Sequence, residues 1–367
     1  MRQLLALALV AGLGFPLDAA PQAGSPSQQP NPSGGKQAPA QQATPPPQQS
    51  QSPPPQESTV PSARVLRSRT ELVPVPVTVK NAHGELVGDL TKDDFRVFED
   101  GKEQNIALFS TEAFPLSLAI VLDNDLTMKE RDQVQKSLDS IAGGLGSADE
   151  AAVILYDEFP HPAIDFTADN DIMITKLHRL KLGESFPGGY GGPMDAGPTI
   201  NNQSQAPGPP VYGKGSEKPT KDLDDAMHAA GEMLRARGRD RRKIICLISD
   251  GQNSHRNKWS YSQTIQLLLS SDISVYTITV GTVLLKHEPG RMTHYANDTG
   301  GDAFFASKQA DIERLYSVID EQARNQYTLA YVPQNPGTGD YHTIEVRIER
   351  PGLRVSAREG YYASAKH

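Results

Sequence analysis

Four stretches of this chain are almost continuously apolar yet far too short to cross a bilayer: residues 116–122 (LSLAIVL), 151–156 (AAVILY), 243–249 (KIICLIS) and 273–280 (ISVYTITV). A strand that is apolar at nearly every position has both faces buried, which happens when helices cover both sides of a parallel sheet. The intervening sequence supplies such helices. Residues 129–145 carry Val134, Leu138, Ile141 and Leu145 at helical spacing, and residues 223–237 carry Leu223, Ala226, Met227, Ala230 and Leu234 on one stripe. Residues 261–272 and 309–326 also read as helices. The chain is therefore α/β over residues 114–325: an open, mostly parallel sheet covered on both faces.

The flanks have a different period. Over residues 64–113 apolar and polar positions alternate, with Val73, Val75, Val77 and Val79 on one face. Pro74 and Pro76 fall on the other face and predict an edge strand, because proline has no N–H for a ladder. The Glu99-Asp100-Gly101 turn makes a hairpin of the residues around it. Residues 326–367 return to a β pattern and are expected to pair with the N-terminal flank as a small β-sandwich beside the α/β domain.

The remaining segments are read from composition. Residues 1–20 carry Arg2, a short apolar run and then small residues, the pattern of a signal peptide. Residues 21–63, rich in Pro, Gln and Ser, lack the apolar side chains that offset ordering entropy and are expected to be a disordered linker. Residues 184–219, rich in Gly and Pro, are expected to be a mobile insertion. With 36 Lys and Arg against 44 Asp and Glu, the net charge is −8, which does not suit nucleic acid. The basic run at 235–243 (RARGRDRRK) reads as a solvated helix end. The single cysteine, Cys246, lies in an apolar run and reads as a core residue with no disulfide. The chain is thus expected to be exported, secreted or periplasmic, without spanning a membrane.

Chemistry gathers at two strand ends. The first apolar strand runs into Asp123-Asn124-Asp125-Leu126-Thr127, and the third into Ser249-Asp250-Gly251. In an open α/β sheet, ligands bind at the carboxyl ends of the strands. If both strands are central, Asp123, Asp125 and Asp250 converge, and like charges that close raise one another's pKa unless a cation sits among them. Carboxylate and hydroxyl oxygens suit Mg²⁺, Ca²⁺ or Mn²⁺. For a single aspartate after a strand the simpler role is a helix N-cap.

At these residues the sequence resembles the von Willebrand factor type A domain. Over residues 71–362, including the flanks LTKDDFRVFEDGKEQNIALFS and NQYTLAYVP, it resembles the VWFA-related proteins of the acidobacterial type. The resemblance implies a Rossmann-like, doubly wound sheet with a metal-ion-dependent adhesion site at its carboxyl edge, whose divalent cation takes an acidic group from a partner protein. The family's first motif, Asp-x-Ser-x-Ser, reads here Asp123, Asn124, Asp125, Leu126, Thr127, and the aspartate of its last motif matches Asp250. The threonine of its middle motif falls on Lys221, with Thr220 one residue earlier. The ligand set implied is Asp123, Asp125, Thr127, Thr220 and Asp250, holding Mg²⁺ or Ca²⁺. Alternatively the Lys221 ammonium replaces the metal, leaving a scaffold with a metal-free site.

Asp-x-Asp-x-Thr after an apolar strand also resembles the first motif of haloacid-dehalogenase-like phosphatases. Asp123 would then be the nucleophile, Asp125 the general acid and Lys221 a phosphate clamp. That family's second acid after the last motif is missing from ISDGQNSHRN, and the β flanks have no place in such a core. The reading is therefore a non-enzymatic protein-binding module. The histidines are scattered without zinc-site spacing. Trp259 is either a partner-facing anchor or, as preferred, a residue packed on a helix.

Overall fold

The computed structural model describes residues 72–184, 199–200, 203–204, 221–281, 290–334 and 339–363. The expected signal peptide and linker, nearly all of the expected insertion, and Thr220 lie outside the described residues. The N-terminal flank contributes β1 (Val73–Lys80), β2 (Phe95–Glu99), β3 (Lys102–Gln104) and β4 (Ile106–Ser110). The central part runs β5 (Leu116–Asp123), α1 (Met128–Ser137), α2 (Asp139–Ala142), β6 (Glu150–Tyr156), β7 (Pro160–Thr167) and α3 (Asn170–Arg179). A two-residue pair, β8 (Thr199–Ile200) and β9 (Gln203–Ser204), precedes α4 (Leu223–Arg235), β10 (Arg242–Ser249), α5 (Tyr261–Ser270) and β11 (Ile273–Val280). Then come α6 (Arg291–Thr299), β12 (Ala303–Ala306), α7 (Gln309–Arg324), β13 (Tyr327–Tyr331), β14 (Tyr341–Ile348), β15 (Arg354–Ala357) and β16 (Gly360–Tyr362).

The main sheet has the order β12-β11-β10-β5-β6-β7 and is parallel except for β7, which runs antiparallel to β6 at the edge. Alternate residues of β5 serve opposite cores. Ile120 and Leu122 pack with Val134 of α1, Met173 and Leu177 of α3 and Ile312 and Leu315 of α7. Ala119 and Val121 pack with Leu223 and Met227 of α4, Leu268 of α5 and Tyr295 of α6. Burial on both faces is what the near-continuous apolar runs predicted, and the doubly wound α/β fold class is borne out. Cys246 lies on the α7 side of β10, and burial pushes its thiol up to about 12.

The flanks form two four-stranded antiparallel sheets, β15-β1-β13-β4 and β16-β14-β2-β3, so strands from both ends of the ordered sequence interleave. Val73, Val75, Val77 and Val79 pack with Phe95, Val97, Leu329, Tyr331 and Ile344. The edge-strand expectation for β1 is corrected in part. β13 pairs its first half and β15 only Val77–Lys80, so β1 is internal to its sheet. Pro74 and Pro76 fall in the half that β15 does not pair, where a missing N–H leaves no ladder broken. The β2–β3 turn has Asp100 and Gly101 at φ 49° and 76°, the conformation that two-residue hairpins need.

The basic run at 235–243 is a solvated helix end only in part: Arg235 and Arg239 are exposed, whereas three other arginines are not free in solvent. Arg237 and Arg241 both pair with Glu150, and Arg241 also donates to the Leu116 and Ala148 carbonyls at 2.6 and 2.8 Å. Arg242 is buried and bonds the Ala323 carbonyl. These guanidiniums close the amino end of the sheet, where strand starts leave carbonyls and carboxylates to satisfy.

Candidate functional site

β5 and β10 are neighbours, and the chain leaves them for opposite sides of the sheet, the switch point where doubly wound folds open a crevice. Asp123 is the last residue of β5, and Asp250 follows the last residue of β10. Strand adjacency therefore brings these two carboxylates together, and the group between them is the Lys221 ammonium. Lys221 Nζ donates to Asp123 Oδ2 at 3.0 Å and to Asp250 Oδ2 at 2.8 Å. The three side chains are 7%, 0% and 7% exposed, so this is a buried ionic cluster.

Each of the four carboxylate oxygens has a protein donor. Asp123 Oδ1 accepts from the Asp125 amide at 3.0 Å, and Oδ2 also accepts from Ser249 Oγ at 2.8 Å. Asp250 accepts from the Gln252 amide and side chain at 2.9 and 2.8 Å. Beneath them the Tyr156 hydroxyl, at the end of β6, donates to Ser249 at 2.8 Å. Burial pushes the Asp123 carboxyl up, against the pull of Lys221. Burial also draws the Lys221 ammonium down, but the charges and hydrogen bonds of Asp123 and Asp250 outweigh it and hold it above its ordinary value. Burial and then the Asp123 charge push the Tyr156 hydroxyl far up, so it acts as a neutral donor.

Lys221 is held by backbone as well as by charge. The Ser254 amide donates to its carbonyl at 2.7 Å, and the next amide, Asp222, donates to the Asp157 carbonyl at 2.9 Å. The Leu223 and Asp225 amides at the start of α4 are taken by the Asn253 and Asn257 side chains at 3.1 and 3.0 Å. The loop after β10 thus fixes the register of the residue that enters the cluster.

The other expected ligands stand apart from this arrangement. Asp125 is exposed; partial burial raises its carboxyl pKa, with Asp250 and Asp157 adding to the shift and Lys221 opposing it. The Thr127 hydroxyl caps α1 and bonds Glu130 Oε2 at 2.7 Å, so it serves a capping box. Thr220 is outside the described residues. Ser249 and Tyr156 were not singled out as site residues from the sequence; their place at the ends of the two strands that flank β5 was the available signal. A divalent ion needs open lone pairs at about 2.0–2.6 Å, whereas here Asp123 and Asp250 already accept from an ammonium and from neighbouring donors. The described residues do not fit a metal at this position while Lys221 occupies it. The same geometry bears on Asp123 as a nucleophile, since its side chain is fully buried and both oxygens are occupied.

Trp259 packs on α4, its ring stacked on His228 at 3.9 Å between centroids and its amide bonded to Asp225. Among the described residues, the group with metal-ligand character is Glu99, Asp100 and His342, which belongs to the β flanks.

No family model and no curated protein matches the chain. Solved structures similar to it include BatB from Bacteroides thetaiotaomicron, at 12% identity over 57% of this chain and 98% of that one, with a TM-score of 0.38. A von Willebrand factor type A protein from Catenulispora acidiphila aligns at 10% identity over 82% of this chain and 76% of its own, at 0.43. Proximal thread matrix protein 1 of the mussel byssus, with a zinc-occupied MIDAS motif, aligns at 12% identity over 61% of this chain and 49% of its own, at 0.40. At these identities and scores they assign no residue role here. The strand order, the antiparallel edge strand and the helices on both faces define a doubly wound α/β fold.

Proposed function

We propose that the chain is an exported protein-interaction module whose strand-end site carries Lys221 as a built-in cation instead of a divalent metal. The observation that supports this is the position of Lys221 Nζ, 3.0 and 2.8 Å from the two carboxylates that would otherwise be metal ligands. The leader-like residues 1–20 and the Pro/Gln-rich segment after them support export. No helix among the described residues is long and apolar enough to cross a membrane.

A metal site of the family's kind draws a partner's acid to an open position on the cation. Lys221 has no such position, because it is buried and committed to two carboxylates. Of the strand-end carboxylates, Asp125 is the one presented to solvent, with Asp250 and Asp157 as acidic neighbours and Lys221 and Arg131 as basic ones. The partner group that suits this face is a basic side chain, not the acidic one the sequence resemblance implied. Binding without turnover agrees with the enclosed state of Asp123, which cannot reach a phosphorus atom.

The test is capture of proteins from the extracytoplasmic fraction on immobilised chain, with chelator present throughout. Retention in chelator that weakens with salt and disappears with Asp125→Lys is the expected result. Retention that requires Mg²⁺ or Ca²⁺, or that survives Asp125→Lys, overturns the reading.

A further inference from the structure

The geometry points to a second site that no strand-end argument touches: Glu99, Asp100 and His342 form a binding site for a divalent transition metal of the zinc class, joining the two β flanks. A ring nitrogen of His342 and one carboxylate oxygen from each acid lie within 4.8 Å of one another. Ligand atoms at about 2.0–2.2 Å from one zinc ion are spaced within that range. The arrangement follows from pairing. Glu99 ends β2, Asp100 begins the left-handed turn after it, and β14 lies antiparallel beside β2 with Glu99 opposite Ile344. Side chains two apart on a strand share a face, so His342 and Ile344 point the same way.

The second observation concerns the imidazole itself. His342 is 8% exposed, and its ring is stacked with Tyr361 at 5.4 Å between centroids. Its Nδ1 lies 2.8 Å from Asp100 Oδ2, whereas its Nε2 is buried and has no hydrogen-bond partner. The Asp100 carboxylate already holds the imidazole in place, and an ion between Nδ1 and Asp100 would take the position of the shared proton.

The neighbouring groups are arranged to hold the acids still. Asp100 Oδ1 accepts from the Thr343 amide at 2.9 Å and its hydroxyl at 3.2 Å, and the Tyr361 hydroxyl donates to Glu99 Oε2 at 3.1 Å. Glu99 is 5% exposed while Asp100 is open to solvent, so an ion enters from the turn side. One imidazole with two carboxylates favours zinc or a similar first-row ion over Mg²⁺ or Ca²⁺, which prefer oxygen alone. Because Glu99 and His342 are 243 residues apart in sequence, the ion would tie the first flank to the last.

The experiment titrates chelator-stripped full-length protein with Zn²⁺ by calorimetry and follows thermal unfolding in parallel. We expect one equivalent to bind and the unfolding midpoint to rise with free zinc. His342→Gln should abolish both effects, and Glu99→Gln should weaken binding tenfold or more. Circular dichroism at low temperature checks that each variant is folded. If either is not, Co²⁺ in the wild type gives an independent reading, because coordination by nitrogen and oxygen produces visible absorption that zinc displaces. Absence of binding, or binding equally strong in folded His342→Gln, overturns the site. Binding lost with Asp123→Asn instead moves the ion to the strand ends and overturns both this site and the metal-free reading there. Zinc binding here together with retained partner capture in chelator separates the two proposals.

Discussion

The Tyr156 hydroxyl reaches across the end of β5 to donate to Ser249 Oγ at 2.8 Å, linking the two strands that flank the one carrying Asp123. Ser249 then donates to Asp123. The position of the central carboxylate is thereby set by both neighbouring strands, and Tyr156→Phe removes one support while leaving the Ser249–Asp123 bond. A neutral hydrogen bond is worth about 0.5–1.5 kcal/mol net. Chemical denaturation should report a loss of that size with an unchanged m-value, and a larger loss would mean that Ser249 also turns away.

Removing Lys221 tests the cluster directly. Lys221→Met leaves two buried carboxylates without their cation, and breaking a buried ion pair in this way costs roughly 3–5 kcal/mol. The deficit should be greatest at neutral pH and shrink as acid protonates one carboxylate. In the wild type, the raised pKa of Lys221 works in the opposite window: its contribution is complete below the unfolded value near 10.5 and is lost as pH rises through the folded one. Unfolding curves of the zinc-free wild type should not move with chelator or with millimolar Mg²⁺ or Ca²⁺. Lys221→Thr should acquire a cation-dependent midpoint.

The opposite end of the sheet sets the acid limit. Burial acts against ionisation of Asp149 and Glu150, yet Arg324 and Arg237 respectively hold both carboxyls below their ordinary pKa. Lowered folded values mean stability that is present above the unfolded range, about 4, and lost as pH falls through the folded range. Arg324→Gln should lower neutral stability by about 1.5–3 kcal/mol, the worth of a charge-assisted bond. It should also flatten the acid limb of the stability profile between about pH 5 and 2. An acid limb identical to that of the wild type would remove Asp149 from the explanation.

Gly301 supports the sheet by what it lacks. A Cβ there would stand 1.9 Å from the Val275 carbonyl oxygen and 2.7 Å from its carbon, with backbone that cannot step aside. Gly301→Ala should displace β12 from β11 and destabilise by several kcal/mol, on the order of the largest single-site effects. Poor soluble yield or a much lower midpoint is the expected result, and near-wild-type stability would contradict this packing.

How far the sequence could be read follows from where each element is buried. β5, β6, β10 and β11 are covered on both faces, so their composition alone gave them away. β7 was missed because it is a half-exposed edge strand carrying Pro160 and Pro162, with register shifts against β6. α3, α6 and β12 were also missed. Helix α6 does bury Met292, Tyr295, Ala296 and Thr299 at helical spacing, but over nine residues, with Thr293, Asn297, Asp298 and Thr299 of low helix propensity, the pattern is thin. The single helix expected over 129–145 is two, interrupted at Leu138. At the site, motif position could nominate Asp123, Asp250 and Lys221. The choice between a solvent-pointing and an inward lysine could not be read, because it depends on the Ser254 and Asp157 backbone contacts that set its register.

The interleaving of β1 between β13 and β15 has a consequence for how the chain is made. The main sheet uses strands that follow one another between residues 116 and 306, so its loops close early and at modest entropy. The N-terminal flank cannot complete its own sheet until residues 327–357 have emerged, some 250 residues after β1. A nascent chain therefore holds a row of valines unpaired while the α/β unit forms behind it, and a premature stop before residue 327 leaves that strand edge permanently open.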